Sequence, residues 1–126
     1  MIKGIGIDMA EIKRFTAAYE RFGARFPERI LSANELNEFA RSRNPGRFLA
    51  MRFAAKEATS KALGTGFRAG IAPRQIGVVH ARSGKPNLAV TGAAAALFAA
   101  AGIVASHITL TDEGGLAVAV VVLESI

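Results

Sequence analysis

The sequence predicts an α+β fold, on three observations. The first is an opening strand pattern, Ile2 to Ile7, in which apolar residues alternate with Lys or Gly. The second is a helix-rich first half. The third is a second half of two strand pairs separated by an alanine-rich segment, an order that segregates strands from helices rather than alternating them. The 126 residues fit one domain spanning 1–126.

Each element has its own signal. Gly4 and Gly6 strip side chains from one face of the first strand, so a neighbour packs closely there, and Asp8 is expected to end it. Glu11 to Phe22 reads as a helix with Ile12, Phe15, Tyr19 and Phe22 inward. Arg14, Arg21 and Arg25 share another face if that helix runs on, although Gly23 is a stop signal. Ser32-Ala33-Asn34-Glu35 is a capping-box pattern that starts a second helix, with Leu36 and Phe39 inward. After a basic turn, a third helix is expected from Arg47 to Leu63, stopped by Gly64. Gly64-Thr65-Gly66 and Arg68-Ala69-Gly70 mark a loop.

Ile76 to His80 and Leu88 to Thr91 then form a hairpin around Arg82-Ser83-Gly84-Lys85-Pro86-Asn87. Gly92 to Gly102 is an alanine-rich helix. His107 to Thr111 and Leu116 to Leu123 are strands joined by Asp112-Glu113-Gly114-Gly115. The last strand is apolar at nearly every position, as expected of a strand covered on both faces, one of them by another copy of the chain.

Composition narrows the function. The net charge of +6 sits in the first half: residues 1–68 carry 13 basic and 7 acidic side chains, residues 69–126 three of each. A negative partner is implied: nucleic acid, an anionic membrane surface, or an acidic or phosphorylated substrate. No cysteine means no disulfide framework and no thiolate nucleophile, and two histidines argue against a multi-histidine metal site. No apolar run reaches the roughly 20 residues of a membrane span, and the N-terminus lacks the long apolar core of a signal peptide, so a cytoplasmic location is expected.

Two segments carry the chemistry. Gly6-Ile7-Asp8 puts a carboxylate at a strand end. Phe53-Ala54-Ala55-Lys56-Glu57-Ala58-Thr59-Ser60-Lys61 puts Glu57 and Lys61 one turn apart on a helix face, with Lys56 and Ser60 as an adjacent pair and Arg52 a turn earlier. Taken singly, Glu57–Lys61 is an ordinary surface ion pair, Asp8 a turn or cap residue, and Arg14 a solvated charge. Taken together, Asp8 and Glu57 share a hard cation such as Mg²⁺ with substrate phosphate oxygens, and Lys61 neutralises a phosphate on that ion. Phosphoryl transfer relies on such positioning and charge stabilisation.

Ile5-Gly6-Ile7-Asp8, Glu11, Arg14, Phe48-Leu49-Ala50-Met51-Arg52-Phe53-Ala54-Ala55-Lys56-Glu57-Ala58, Lys61-Ala62-Leu63-Gly64-Thr65-Gly66 and Gly84-Lys85-Pro86 together resemble the holo-[acyl-carrier-protein] synthase family. These are short 4′-phosphopantetheinyl transferases, and the likeness covers essentially the whole chain. The resemblance implies the 4′-phosphopantetheinyl transferase fold, a small antiparallel sheet packed on a long helix, assembled as a homotrimer with active sites between subunits. It implies Mg²⁺-dependent transfer of 4′-phosphopantetheine from coenzyme A to a serine of acyl carrier protein, releasing adenosine 3′,5′-bisphosphate. Asp8 and Glu57 match metal ligands, and Glu57 is also a candidate for activating the serine. Lys61 matches the phosphate-contacting lysine, a candidate for protonating the leaving group. Arg52, Ser60, Lys61, Gly64, Gly84, Lys85 and Pro86 are the coenzyme A positions. Arg14, with Arg21 and Arg25, matches the carrier-docking surface.

Two positions depart from the family pattern. Phe53 stands where many relatives have tryptophan. Where many have a Ser/Thr-His pair, this chain is read as Thr111-Asp112, so no histidine role passes to Asp112, and the nearby His107 reads as a structural strand residue. The rivals are a small basic nucleic-acid-binding module, disfavoured by 7% aromatic residues and no tryptophan, and a non-catalytic carrier-docking relative, disfavoured by the intact Asp8, Glu57 and Lys61. No nucleic-acid or membrane partner is expected.

Overall fold

The computed structural model describes residues 1–68 and 70–126; Ala69 of the expected Arg68-Ala69-Gly70 loop lies outside them. The chain runs β1 (Ile2–Glu11), α1 (Ile12–Phe22), α2 (Arg25–Ile30), α3 (Ala33–Phe39), α4 (Pro45–Leu63), a 3₁₀ turn (Pro73–Gln75), β2 (Ile76–His80), β3 (Pro86–Val90), α5 (Gly92–Ala100), β4 (Ile103–Glu113) and β5 (Leu116–Ser125). The α+β order is as expected. The strands form two antiparallel sheets, a three-stranded β1-β5-β4 and the separate hairpin β2-β3.

The long helix α4 is the spine, and β1 lies against its backbone. A Cβ on Gly6 would stand 1.8 Å from the Ala58 carbonyl oxygen, and one on Gly4 would stand 1.9 Å from that of Ala62. Only glycine permits that approach. Ala54, Ala58 and Ala62 of α4 and Ala117 and Ala119 of β5 fill the same buried cluster. Small side chains on both layers bring helix and sheet close. Side chains alternate along a strand, so Asp8 shares the helix-facing side with Gly4 and Gly6, while Ile5, Ile7 and Met9 point outward and are exposed.

Several boundaries move for physical reasons. β1 does not end at Asp8, because Asp8 to Glu11 pair with Ala119 to Leu116 of β5. Glu11 becomes the N-cap of α1. Gly23, at φ 62°, ends that helix, so Arg25 opens the unexpected short helix α2 and does not extend the Arg14–Arg21 face. Phe22 is 54% exposed rather than in the core, and the Arg21 guanidinium stacks on its ring at 5.1 Å.

The capping box at Ser32 and Glu35 forms as expected. α4 starts at Pro45, capped by the Asn44 side chain, two residues before the expected Arg47. Gly64 ends it in the left-handed region, as expected. Pro86 and Asn87 pair within β3 instead of belonging to the turn. α5 stops at Ala100. β4 begins at Ile103 and keeps Asp112 and Glu113, leaving Gly114-Gly115, at φ 60° and 80°, as a two-residue turn. β5 continues to Ser125; its alternate residues are buried against α4, and the others are only partly covered.

Gly6→Ala is expected to force β1 off α4 and to cost at least the ~1–3 kcal/mol typical of overpacking. Urea denaturation monitored by circular dichroism checks it; unchanged stability would contradict the close approach.

Candidate active site

At the glycine contact, β1 and α4 present Asp8, Glu57 and Lys61 to one another. The Lys61 ammonium donates to Asp8 Oδ1 at 2.9 Å and to the Ile7 carbonyl at 3.1 Å. The ion pair is therefore Lys61–Asp8, between elements, rather than the expected Glu57–Lys61 pair along the helix. Only 16% of the Asp8 side-chain surface is exposed, against 53% for Lys61.

Burial raises the pKa of Glu57, the Asp8 charge raises it further, and Lys61 opposes both. The hydrogen bond that Lys61 donates to Asp8 raises the pKa of Lys61, desolvation opposes it, and the charges of Asp8 and Glu57 add to the rise. A carboxylate whose ionisation is opposed by burial and by a neighbouring carboxylate, beside a single ammonium, makes an electrostatic environment that a hard cation relieves. Among the described residues no group of three or more His, Asp or Glu side chains gathers into a metal site. The donor set fits an ion held by two carboxylates and completed by phosphate oxygens and water, as Mg²⁺ commonly is.

Two clefts border the elements that meet here, one on β1 and one on α4. One, of about 520 Å³, opens beside Asp8 and is lined by Glu11, Arg14, Phe15, Phe26 and Phe53, among others. The other, of about 330 Å³, lies between the N-terminal half of α4 and the tip of the β2–β3 hairpin, with Arg47, Phe48, Arg52, His80, Gly84 and Pro86 among its walls. Arg52, Gly84 and Pro86 of the expected coenzyme A set thus meet in one cleft.

Ser60 is buried and its hydroxyl donates to the Glu57 carbonyl at 2.8 Å. A Cβ on Gly64 or Gly84 would meet open space. Lys85 is exposed on the hairpin tip. Arg14 lines the first cleft, and Arg21 is exposed on α1. Arg25 sits apart with Arg29 and Arg74 around a third cleft.

The basic α4 face divides in a way the sequence does not reveal. Lys56 is fully buried, and its ammonium donates to Glu35 Oε1 at 2.6 Å and to the Ile76 carbonyl. It is a core lysine, not a phosphate-side cation. Burial lowers its pKa, and Glu35 pushes the other way. Arg52 is 7% exposed and bonds Glu38 at 2.9 Å, while its guanidinium stacks on Phe48 at 4.3 Å. Glu35 and Glu38 escaped sequence reasoning; the capping box pointed to Glu35, but only as a helix-start residue. Asp112 pairs with Arg47 at 2.7 Å, and that bond lowers its pKa. His107, exposed on β4, pairs with Glu124 of β5.

The family model described as the 4′-phosphopantetheinyl transferase superfamily matches residues 4–121. The chain belongs to the 4′-phosphopantetheinyl transferase superfamily. Within it, the chain is 50% identical over 125 residues to the holo-[acyl-carrier-protein] synthase of Nitratidesulfovibrio vulgaris, covering 99% of this chain and 100% of that one. The crystal structure of holo-[acyl-carrier-protein] synthase from Neisseria meningitidis superimposes with a TM-score of 0.93 at 40% identity, covering 99% of this chain and 100% of that one. That from Bacillus anthracis, in complex with CoA (3′,5′-ADP), gives 0.83 at 37% identity, covering 100% and 99%. No helix among the described residues is long and apolar enough to cross a membrane.

Lys56→Met is expected to lower unfolding stability by about 3–5 kcal/mol, since it breaks a buried ion pair. Urea denaturation reads this directly. Unchanged stability would contradict the buried pair with Glu35.

Proposed function

We propose that this chain transfers the 4′-phosphopantetheine arm of coenzyme A to a serine hydroxyl of apo-acyl carrier protein, as a single domain spanning residues 1–126. The observation that carries this reading is the junction of Asp8, Glu57 and Lys61, with a cleft opening beside Asp8. The names of its close relatives support the same activity.

Asp8 and Glu57 hold Mg²⁺. When bound, the ion supplies positive charge to the pyrophosphate oxygens and helps orient them. Lys61, charged at neutral pH, meets the negative charge that spreads as the phosphorus changes partners. The serine oxygen bonds to the phosphorus of the phosphopantetheine, and the bond to the bridging oxygen breaks. Adenosine 3′,5′-bisphosphate leaves with that oxygen. Glu57 is the acceptor for the serine proton, directly or through a water.

Arg52, Ser60, Gly64, Gly84, Lys85 and Pro86 make the coenzyme A side of the site. Arg14 and Arg21 of α1 make the side that meets the acidic carrier protein; Arg25, which lies apart on α2, extends that basic surface rather than sharing the α1 face. The enzyme works as a cytoplasmic homotrimer with active sites at subunit boundaries. Ile5, Ile7 and Met9 of β1 are 62%, 57% and 62% exposed on the sheet face that turns away from α4. Val122, Val120 and Val118 pair with them in β5. A contiguous apolar face of this kind favours association.

Incubation with apo-carrier protein, coenzyme A and Mg²⁺ is expected to raise the carrier's mass by one phosphopantetheine. No mass gain, with salt-sensitive RNA or DNA binding instead, would favour the nucleic-acid module. Asp8→Ala and Glu57→Ala are each expected to cut turnover nearly to zero in a folded protein; full activity of either at saturating Mg²⁺ would contradict their role. Arg14→Glu is expected to raise KM for the carrier more than KM for coenzyme A, and equal effects would contradict docking. Sedimentation equilibrium is expected to give three chain masses, and a monomer would contradict the assembly.

A further inference from the structure

The least accessible charges in the molecule lie outside the proposed chemistry. Glu35 of α3 is completely buried. Its Oε1 accepts from the Ser32 amide at 2.9 Å and from Lys56 Nζ at 2.6 Å. Its Oε2 accepts from the Val78 amide at 3.1 Å and lies 3.5 Å from Arg52 Nη1. Lys56 also donates to the Ile76 carbonyl, and Arg52 to the Val78 carbonyl at 3.3 Å. One carboxylate thus ties two cations of α4 to the backbone of β2.

A capping box alone does not require this burial, which well-packed apolar side chains would often match in stability. The position of the network points to a second use. β2 leads through its hairpin to Gly84 and Pro86, and these form a cleft with Arg47, Phe48, Met51 and Arg52 of α4. The clamp lies at the base of that hairpin, and Arg52 belongs to both clamp and cleft.

We propose that Glu35 is a positioning residue: through Lys56, Arg52 and the Val78 amide it fixes the β2–β3 hairpin on α4, and so holds open the cleft that receives the phosphate-bearing donor. The inference rests on the coenzyme A reading given above. Glu35 touches no substrate. Its effect on affinity comes from preorganisation, since a hairpin already in place loses less freedom when ligand binds. The carrier-facing cleft beside Asp8 is walled by β1, α1, α2, Phe53 and Leu116, and stands outside the clamp.

The test is the double variant Glu35→Gln/Lys56→Met. It removes the Glu35 and Lys56 charges together, keeps one amide oxygen that can accept from the Ser32 or the Val78 amide but not from both, and cuts the Lys56 link to β2. Cooperative unfolding is expected, with KM and calorimetric Kd for coenzyme A raised about tenfold and KM for the carrier within about twofold of the parent. An unchanged KM for coenzyme A, or equal rises for both substrates, would overturn the proposal. Amide exchange at Val78 of the parent protein gives a readout independent of the variant's folding. It is expected to be slow already without coenzyme A, because the amide is bonded to Glu35, and rapid exchange in the free protein would also overturn the clamp. A parent that neither binds coenzyme A nor modifies the carrier would refute the functional reading itself, whereas an active parent matched by the variant refutes only the clamp.

Discussion

The structure depends on one close approach, that of the β1 backbone to the α4 backbone at Gly4 and Gly6. With Cβ positions 1.8–1.9 Å from helix carbonyls, no other residue fits without moving the strand. The approach sets the spacing between sheet and spine. It also decides which groups meet: two residues beyond Gly6, on the same face, Asp8 comes within hydrogen-bonding distance of Lys61. A displaced strand would separate the two carboxylates, and the electrostatic pressure on Glu57 would fall with them. The alanines of α4 and β5 serve the same end, since large side chains in that layer would hold the elements apart.

The positive charge of the first half divides by burial. Lys61 lies at the surface against Asp8. Lys56, five residues earlier, is sealed in the core against Glu35, and Arg52 stands between the two regimes, mostly buried yet on a cleft wall. Two cations of one helix therefore bind different parts of the molecule together, one to β1 and one to β2. The buried pair adds little net stability, because desolvation offsets attraction, but it is costly to break from one side. Such a link suits a hairpin that must be held in one place rather than merely attached.

The sequence made legible what depends on local pattern. The α+β order, the capping box at Ser32, the stop at Gly64 and the meaning of Gly4 and Gly6 all follow from short-range chemistry. The pairing of the Gly6-Ile7-Asp8 and Lys56-Glu57 segments was legible through the family resemblance, which their order and spacing carry. What escaped depends on contacts distant in sequence. Nothing near Glu35 shows that Lys56 lies 21 positions ahead in a buried pair. Strand β1 outruns Asp8 because β5, more than a hundred residues later, offers it partners. α2 escaped because six residues around Pro27 carry no helical period. The burial of Lys56 escaped because periodicity alone does not tell an amphipathic helix from one covered on most sides, as α4 is.

In the proposed function, the glycine contact brings Asp8 and Glu57 to one cation and Lys61 to the phosphate it carries. A crystal structure with Mg²⁺ and coenzyme A tests this most directly. The ion is expected about 2.0–2.1 Å from a carboxylate oxygen of each residue, with Lys61 turned from Asp8 toward a pyrophosphate oxygen. An ion bound elsewhere, or a Lys61 still paired with Asp8 while coenzyme A occupies the site, would contradict it.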